Sequence, residues 1–568
     1  MTFRYRFCVV VALAAGSWVN SAAVIFGAAV PPARAAHGMV VAEERLGAEA
    51  GAKVLSSGGN AVDAAVATAF ALAVTHPTAG NIGGGGFLVY RAADGHAVAY
   101  DFREMAPAAA RPDMWLLDGK YDPDLHHQSY RSVGVPGSVA GLHLAWRNHG
   151  SRPWPELLAP AIALARDGFV VSDGLSRSLA GELPRMKVHA ATMAQFTRDG
   201  VPYQRGETLR QPDLARTLQR LAEVGPGDFY SGETARLIAN AMQQHGGLIT
   251  LEDLRNYRAI QREPVRGNYR GYEIISMPPP SSGGVTLLQM LNVLEGFDLA
   301  ADGFGSAVNL HRYAETMRRA YADRAKYLGD PDRNPDMPIE LLTSKAYAVR
   351  QRNSMDPRRA SVSVAETMGW RAESPHTTHL SVVDSQRAAV ALTTTLEFPY
   401  GAAIVVEGAG FLLNNEMGDF NAVPGLTDAT GRIGTAPNLA RPGARMLSSM
   451  TPTVVAREGR LVMVTGSPGG RTIINTVLQT LVNVLDFGMN AQEAVDAGRV
   501  HHQWLPDRLQ VERWSFSPDT LRLLGELGHA WELIDAQGAA QVICVDASTG
   551  ELTGGTDRRV PDGAAAGH

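Results

Sequence analysis

Apolar and polar positions alternate in a way that predicts a mixed chain. Residues 377–384 (Thr-Thr-His-Leu-Ser-Val-Val-Asp) and 388–397 are rich in β-branched side chains and bounded by turn formers. They read as two antiparallel strands joined by a tight connection. A three-residue loop, Ser385-Gln386-Arg387, pairs Asp384 with Ala388 and puts Thr377 opposite Thr395; a two-residue loop puts it opposite Thr394. Glu397, two residues beyond Thr395, shares its face.

Upstream, Ala42 to Leu72 has a helical pattern broken at Ser57-Gly58-Gly59-Asn60, and apolar strands are expected at Phe87–Tyr90 and Ala97–Phe102, the second delivering Arg103 at its end. Residues 137–260 are mostly amphipathic and helical, with Thr250 as an N-cap answered by Asp253. The rigid turn Met277 to Gly284 feeds a helix over Val285–Leu294. Strands follow at Val454–Ala456 and Leu461–Thr465, then a helix over Ile473–Leu485. Residues 330–376 are polar, charged and poor in pattern, which predicts a loose segment ending just before Thr377. No internal repeat is visible.

Composition narrows the class. With 45% hydrophobic residues and a net charge of −5 over 568 residues, the chain has ample core and no basic patch suited to nucleic acid. Arg4 and Arg6 before the apolar run Phe7–Ala15, and the small-x-small Ala33-Arg34-Ala35, predict an export signal over residues 1–35, hence a periplasmic protein. A second apolar patch, Ala22–Val30, allows an earlier cut near Ala23. No unbroken run reaches the ~18 apolar residues of a membrane anchor. Cutting after Ala35 would take the net charge from −5 to −8 and remove Cys8, leaving Cys544 alone. Disulfides and cysteine-based metal or redox chemistry are therefore not expected.

Several short pieces could carry chemistry, and each has a plainer reading. Thr377 is either an ordinary strand threonine or, if the His376–Thr377 bond is cut, a chain start whose hydroxyl attacks and whose α-amine accepts the proton. Such an amine titrates at roughly pH 7.7–8.0, close to working pH. Arg103 could be a surface ion pair. Glu416 and Asp419, in Asn414-Asn415-Glu416-Met417-Gly418-Asp419-Phe420 after an apolar stretch read as a strand, could be a helix-capping pair. Ser448 and Ser449, in Leu447-Ser448-Ser449-Met450-Thr451-Pro452-Thr453, could be turn hydroxyls. Gly469 and Gly470, in Gly466-Ser467-Pro468-Gly469-Gly470, offer amides at a helix start that could hold an oxyanion, or form a plain strand-to-helix turn. The run Gly80 to Gly86 lacks a nucleotide fingerprint and reads instead as a place of close backbone approach. Ser282 has no base nearby to make it a nucleophile. His501 and His502 sit on opposite faces of one strand with no third ligand spaced to help, which argues against a metal site.

The order of these pieces is more telling than any one of them. Thr377 to Asp384, Asn414 to Phe420, Leu447 to Thr453 and Gly466 to Gly470 resemble, in sequence and order, the small subunit of the γ-glutamyltranspeptidases. The resemblance continues upstream through Asp101-Phe102-Arg103-Glu104-Met105-Ala106-Pro107, Gly80–Gly86, Gly246-Gly247-Leu248-Ile249-Thr250 and Pro278–Gly284. It implies an α+β N-terminal-nucleophile hydrolase with a four-layer αββα sandwich. The proenzyme would cut itself before Thr377 into a large subunit (36–376) and a small one (377–568) that stay together as a heterodimer. It implies Thr377 as nucleophile and base, hydrogen-bonded by Thr395. Arg103, Ser448 and Ser449 would hold the α-carboxylate of a γ-glutamyl group, Glu416 and Asp419 its α-ammonium, and the Gly469 and Gly470 amides the oxyanion. The substrates implied are glutathione and other γ-glutamyl compounds, with water, an amino acid or a dipeptide as acceptor, and no cofactor or metal. A glutaryl or cephalosporin acylase on the same scaffold, or an exported binding protein that is never cut, are the alternatives.

The chain departs from the family pattern in three places. Glu397 stands where many members have Asn and some bacterial members also have Glu; it is kept as a substrate contact. Gly418 replaces an acidic residue, loosening that turn. The segment Asn421–Met446 is long enough for a lid but carries no aromatic latch, Thr430 standing where one is expected.

Overall fold

The computed structural model describes residues 30–364 and 376–568. The expected signal core and the residues just before His376 lie outside them. Among the described residues no helix is long and apolar enough to cross a membrane.

Two seven-stranded antiparallel sheets stack at the centre. The first runs, edge to edge, Ile260–Arg262, Ala97–Phe102, Gly85–Arg91, Ala389–Glu397, His376–Val383, Met39–Ala42 and Ala564–Gly567. The second runs Ala33–Ala35, Leu552–Thr556, Gln541–Val545, Arg460–Gly466, Thr453–Arg457, Tyr272–Ser276 and Val265–Tyr269. Strand parity explains the layers. Val40, Leu88, Leu380, Val382, Val390 and Leu392 face one way, into a core shared with the helices Arg45–Ser56, Ala61–Thr75 and Trp154–Asp167. Their neighbours Val41, Phe87, Val89, Val383, Ala389 and Ala391 face the other way, meeting Ile274, Val454, Val464 and Ile543 of the second sheet. The same core continues to the helices Gly283–Leu294, Ala307–Tyr327 and Thr472–Leu485. Because both faces of the first sheet are buried, its strands need not alternate apolar with polar. The result is helix, sheet, sheet, helix: the αββα sandwich of N-terminal-nucleophile hydrolases.

The central hairpin closes with the three-residue loop. Asp384 and Ala388 are joined by a backbone hydrogen bond of 3.0 Å, and Asp384 Oδ1 accepts from the amides of Gln386 and Ala388. Arg387 takes the left-handed conformation, φ 65°, that ends such a loop. Thr377 therefore pairs with Thr395, with a register irregularity between His376 and Thr377.

Two expectations are revised. First, residues 330–364 are packed rather than loose: a helix spans Lys345–Asn353, Ser361 bonds the buried Glu315, and the Ser363 amide donates to Asp507 at 2.8 Å. Hydroxyls and ion pairs hold this stretch, so it leaves no apolar period to read. Second, the apolar stretch before Asn414 is not a strand but a turn closed by a single bridge, Val405 to Leu412, because Gly401, Gly408 and Gly410 bend the chain with positive φ. The residues just before the boundary expected after Ala35 are part of a sheet edge. Ala33–Ala35 pair with Leu552–Gly554, and Arg34 reaches Glu551 at 2.5 Å.

Candidate active site

The site forms where the central hairpin of the first sheet ends against loops of the second. Thr377 and Thr395 face each other across the ladder, 6% and 4% exposed, and Thr395 Oγ1 accepts the Glu397 amide at 2.9 Å. Asn81 fixes the strand end by donating to the Thr395 carbonyl at 2.9 Å. Gly84 allows that closeness: a Cβ there would lie 2.1 Å from the same carbonyl oxygen. The glycine run thus serves backbone approach.

Arg103 leaves its strand fully buried, not as a surface ion pair. Its Nη1 meets Glu416 at 2.6 Å and Glu104 at 3.4 Å, its Nη2 pairs with Asp419, and Nε donates to the Met446 carbonyl at 3.3 Å. Arg103 and the carboxylates expected to hold opposite groups of the substrate are in contact with one another. A buried guanidinium needs its counter-charges within reach, and here the protein supplies them. Three carboxylates share one guanidinium, and desolvation keeps the acids from all ionising. Burial pushes Glu416 up to about 8 and Glu104 to about 7, Arg103 opposing the rise in both. The same carboxylates hold the Arg103 charge firmly in place.

Ser448 and Ser449 lie on a loop clamped by the Pro278–Gly284 turn. Ser282 donates from its amide (2.8 Å) and hydroxyl (2.6 Å) to the Ser448 carbonyl, so Ser282 is a clamp here. Arg324, buried on the helix Ala307–Tyr327, reaches Ser282 Oγ at 2.8 Å and Ser449 Oγ at 2.9 Å. Gly469 (φ 133°) and Gly470 (φ 53°) lead into the helix Thr472–Leu485, whose positive end faces the site. Side chains would strain both positions.

One cavity gathers these parts. Its wall contains Arg103, Thr377, Thr395, Glu397, Asp419, Ser448, Ser449 and Gly470. Glu416 stands behind Arg103 with no exposed surface, and Gly469 is one residue outside the wall. A neighbouring cavity, lined by His127, Arg324, Arg432 and Arg471, shares Glu397 and Asp419 with the first. The segment after Asn421 contributes Val423, Leu426 and Ile433 to its wall; Thr430 is spent on Asp428. His501 and His502 turn to different partners, Asn475 and Asp507.

A comparison with known families matches residues 47–567 to gamma-glutamyltranspeptidase. The chain belongs to the γ-glutamyltranspeptidase family. The glutathione hydrolase proenzyme of Escherichia coli is 48% identical over 94% of this chain and 93% of its own length. That of Pseudomonas aeruginosa is 44% identical over 83% of each. Among solved structures, a cephalosporin acylase from Bacillus halodurans superposes with a TM-score of 0.84 at 28% identity, covering 97% of this chain and 99% of its own. The Helicobacter pylori gamma-glutamyltranspeptidase is 45% identical with a TM-score of 0.55, covering 56% of this chain and 91% of its own.

Within this γ-glutamyltranspeptidase family member, three residues of the site escaped the sequence reading. Glu104 was legible in principle, as the neighbour of Arg103 in the same motif. Arg324 and His127 were not: each is distant in sequence from every motif and reaches the site only through the fold.

Proposed function

We propose that the protein is a γ-glutamyltransferase and glutathione hydrolase that matures by cutting its own His376–Thr377 bond. The observation carrying this reading is the cavity that sets Thr377 and Thr395 beside Arg103, two serines and a carboxylate cluster. A γ-glutamyl unit bears a carboxylate and an ammonium on one carbon, and such a lining fits both by charge-assisted hydrogen bonds. With Arg103, Ser448 and Ser449 on the carboxylate, Glu397 and Asp419 on the ammonium, and Glu416 adding its charge from behind Arg103, the γ-carbonyl is presented to Thr377.

After the cut, the Thr377 hydroxyl attacks that carbonyl while its own α-amine takes the proton. The oxyanion is held by the amides of Gly469 and Gly470, and Thr395 keeps the nucleophile oriented. The amine of the substrate leaves with the proton, giving an ester on Thr377. Water or the amine of an amino acid or dipeptide then attacks that ester, regenerating the hydroxyl. An arriving ammonium adds to the positive charge that Arg103 provides, so it favours ionisation of Glu416 and Glu104.

The large chain, ending at His376, and the small chain (377–568) would remain one folded unit, since strands of both are interleaved within the same sheets. We further propose export to the periplasm, with the signal removed near Ala23 rather than after Ala35, because Ala33–Ala35 hold a sheet edge.

N-terminal sequencing of the purified fragments tests the reading: one fragment should begin at Thr377, and Thr377→Ala should leave a single chain. Comparing γ-glutamyl with glutaryl substrates separates the acylase alternative. A glutaryl group lacks the ammonium and leaves the carboxylates to Arg103 alone, so preference for glutaryl would overturn the assignment.

A further inference from the structure

Two departures from the family pattern, Glu397 and Gly418, turn out to be neighbours. Glu397 ends its strand in the left-handed conformation (φ 76°) and is 5% exposed. Its Oε1 lies 3.1 Å from Nδ1 of His127. The His127 ring stacks on Phe398, centroids 5.1 Å apart and planes within 6°, so the imidazole is held in orientation by the residue that follows its partner. Gly418, in the short 3-10 turn Glu416–Asp419, packs against both. A Cβ at 418 would lie 2.3 Å from His127 Nδ1, 2.5 Å from Glu397 Oε2 and 2.7 Å from Oε1. Gly418 does not have positive φ, so its backbone would accept any residue; the glycine is there for space.

We propose that His127, Glu397 and Gly418 are one unit, in which Gly418 leaves the room, His127 is a positioning residue, and Glu397 is aimed at the substrate α-ammonium. The inference rests on the γ-glutamyl reading above. An Asn at 397 would need no such partner, and an acidic side chain at 418 would both fill the space and repel Glu397. The two positions are therefore coupled: any side chain at 418 would meet both His127 and Glu397. Gly418 loosens nothing; it makes room.

The test uses the mature two-chain enzyme with γ-glutamyl-p-nitroanilide and glutaryl-p-nitroanilide. His127→Ala should raise KM for the γ-glutamyl substrate about tenfold, the worth of one hydrogen bond to a charged group, with kcat little changed. KM for the glutaryl substrate, which has no ammonium, should stay within about twofold, and His127→Gln should recover part of the loss. Gly418→Asp should cost more than His127→Ala, and adding Glu397→Asn to it should restore γ-glutamyl turnover. Equal losses on both substrates in His127→Ala, or a double variant no better than Gly418→Asp, would overturn the proposal. If the wild type itself fails to turn over the γ-glutamyl substrate, it is the functional reading that fails, not this coupling.

Discussion

Glu416→Gln offers a severe test of the charge arrangement. Glu416 has no exposed surface and sits 2.6 Å from Arg103, which also serves Glu104 and Asp419. Burial lifts its carboxyl from 4.5 to about 8. In the folded protein it therefore keeps a proton, between pH 4.5 and 8, that the unfolded chain has released. The native state binds more protons across that window, so this group's contribution to stability falls as pH rises through it. Each pKa unit is worth about 1.36 kcal/mol, so the full shift corresponds to on the order of 5 kcal/mol. Glu104, raised to about 7, competes for the same guanidinium, and removing one acid relieves its neighbour only in part. About half, roughly 2 kcal/mol, is the expected gain of the variant at pH 9 relative to its value at pH 6. At pH 6 the wild-type side chain is already neutral, and glutamine imitates it closely. Unfolding entropy of about 2.1 cal/mol/K per residue over a chain of this length makes 1 kcal/mol worth about 1 °C in Tm. Calorimetry at matched scan rates should thus find the difference in Tm, variant minus wild type, more positive by about 2 °C at pH 9 than at pH 6. A difference that is flat, or moves against the variant with rising pH, would refute the reasoning. It would mean that Glu416 is ionised throughout and that its pairing with Arg103 outweighs burial.

Other consequences follow from the same geometry. Binding a γ-glutamyl analogue at pH 7 should release protons, because the ammonium favours ionised Glu416 and Glu104; calorimetry in buffers of different ionisation enthalpy measures this, and uptake would contradict it. Arg324→Met, which leaves Ser282 and Ser449 without their shared donor, should raise KM about tenfold or more while the fold persists by circular dichroism. Gly84→Ala, a Cβ 2.1 Å from the Thr395 carbonyl, should slow maturation on a denaturing gel and lower Tm by about 1–3 °C, the cost of overpacking being about 1–3 kcal/mol. Mass spectrometry of exported protein should find Ala33–Ala35 retained, and deleting them should lower Tm by exposing the edge of the second sheet.

The central hairpin was legible because its information is local. Runs rich in β-branched residues, bounded by turn formers, define the two strands and put a threonine opposite Thr377; which one, Thr395 rather than Thr394, was decided by the three-residue loop in which Arg387 adopts positive φ. The motifs around Glu416, Ser448 and Gly469 were legible as motifs, through their order along the chain. Their meeting was not. Arg103 and Asp419 are 316 residues apart yet paired, and only the stacking of two sheets brings them together. The sequence placed the guanidinium and the carboxylates at the site as separate binding groups; the fold put them in contact, because burial forces a charge to find its counter-charge inside the protein. Packing also gave His127 and Arg324 their places, and it explained Gly418, whose role is a space defined by two side chains elsewhere. Local chemistry is written in neighbouring residues and can be read from them. Electrostatic partnership and room are properties of distance, and distance exists only once the chain has folded.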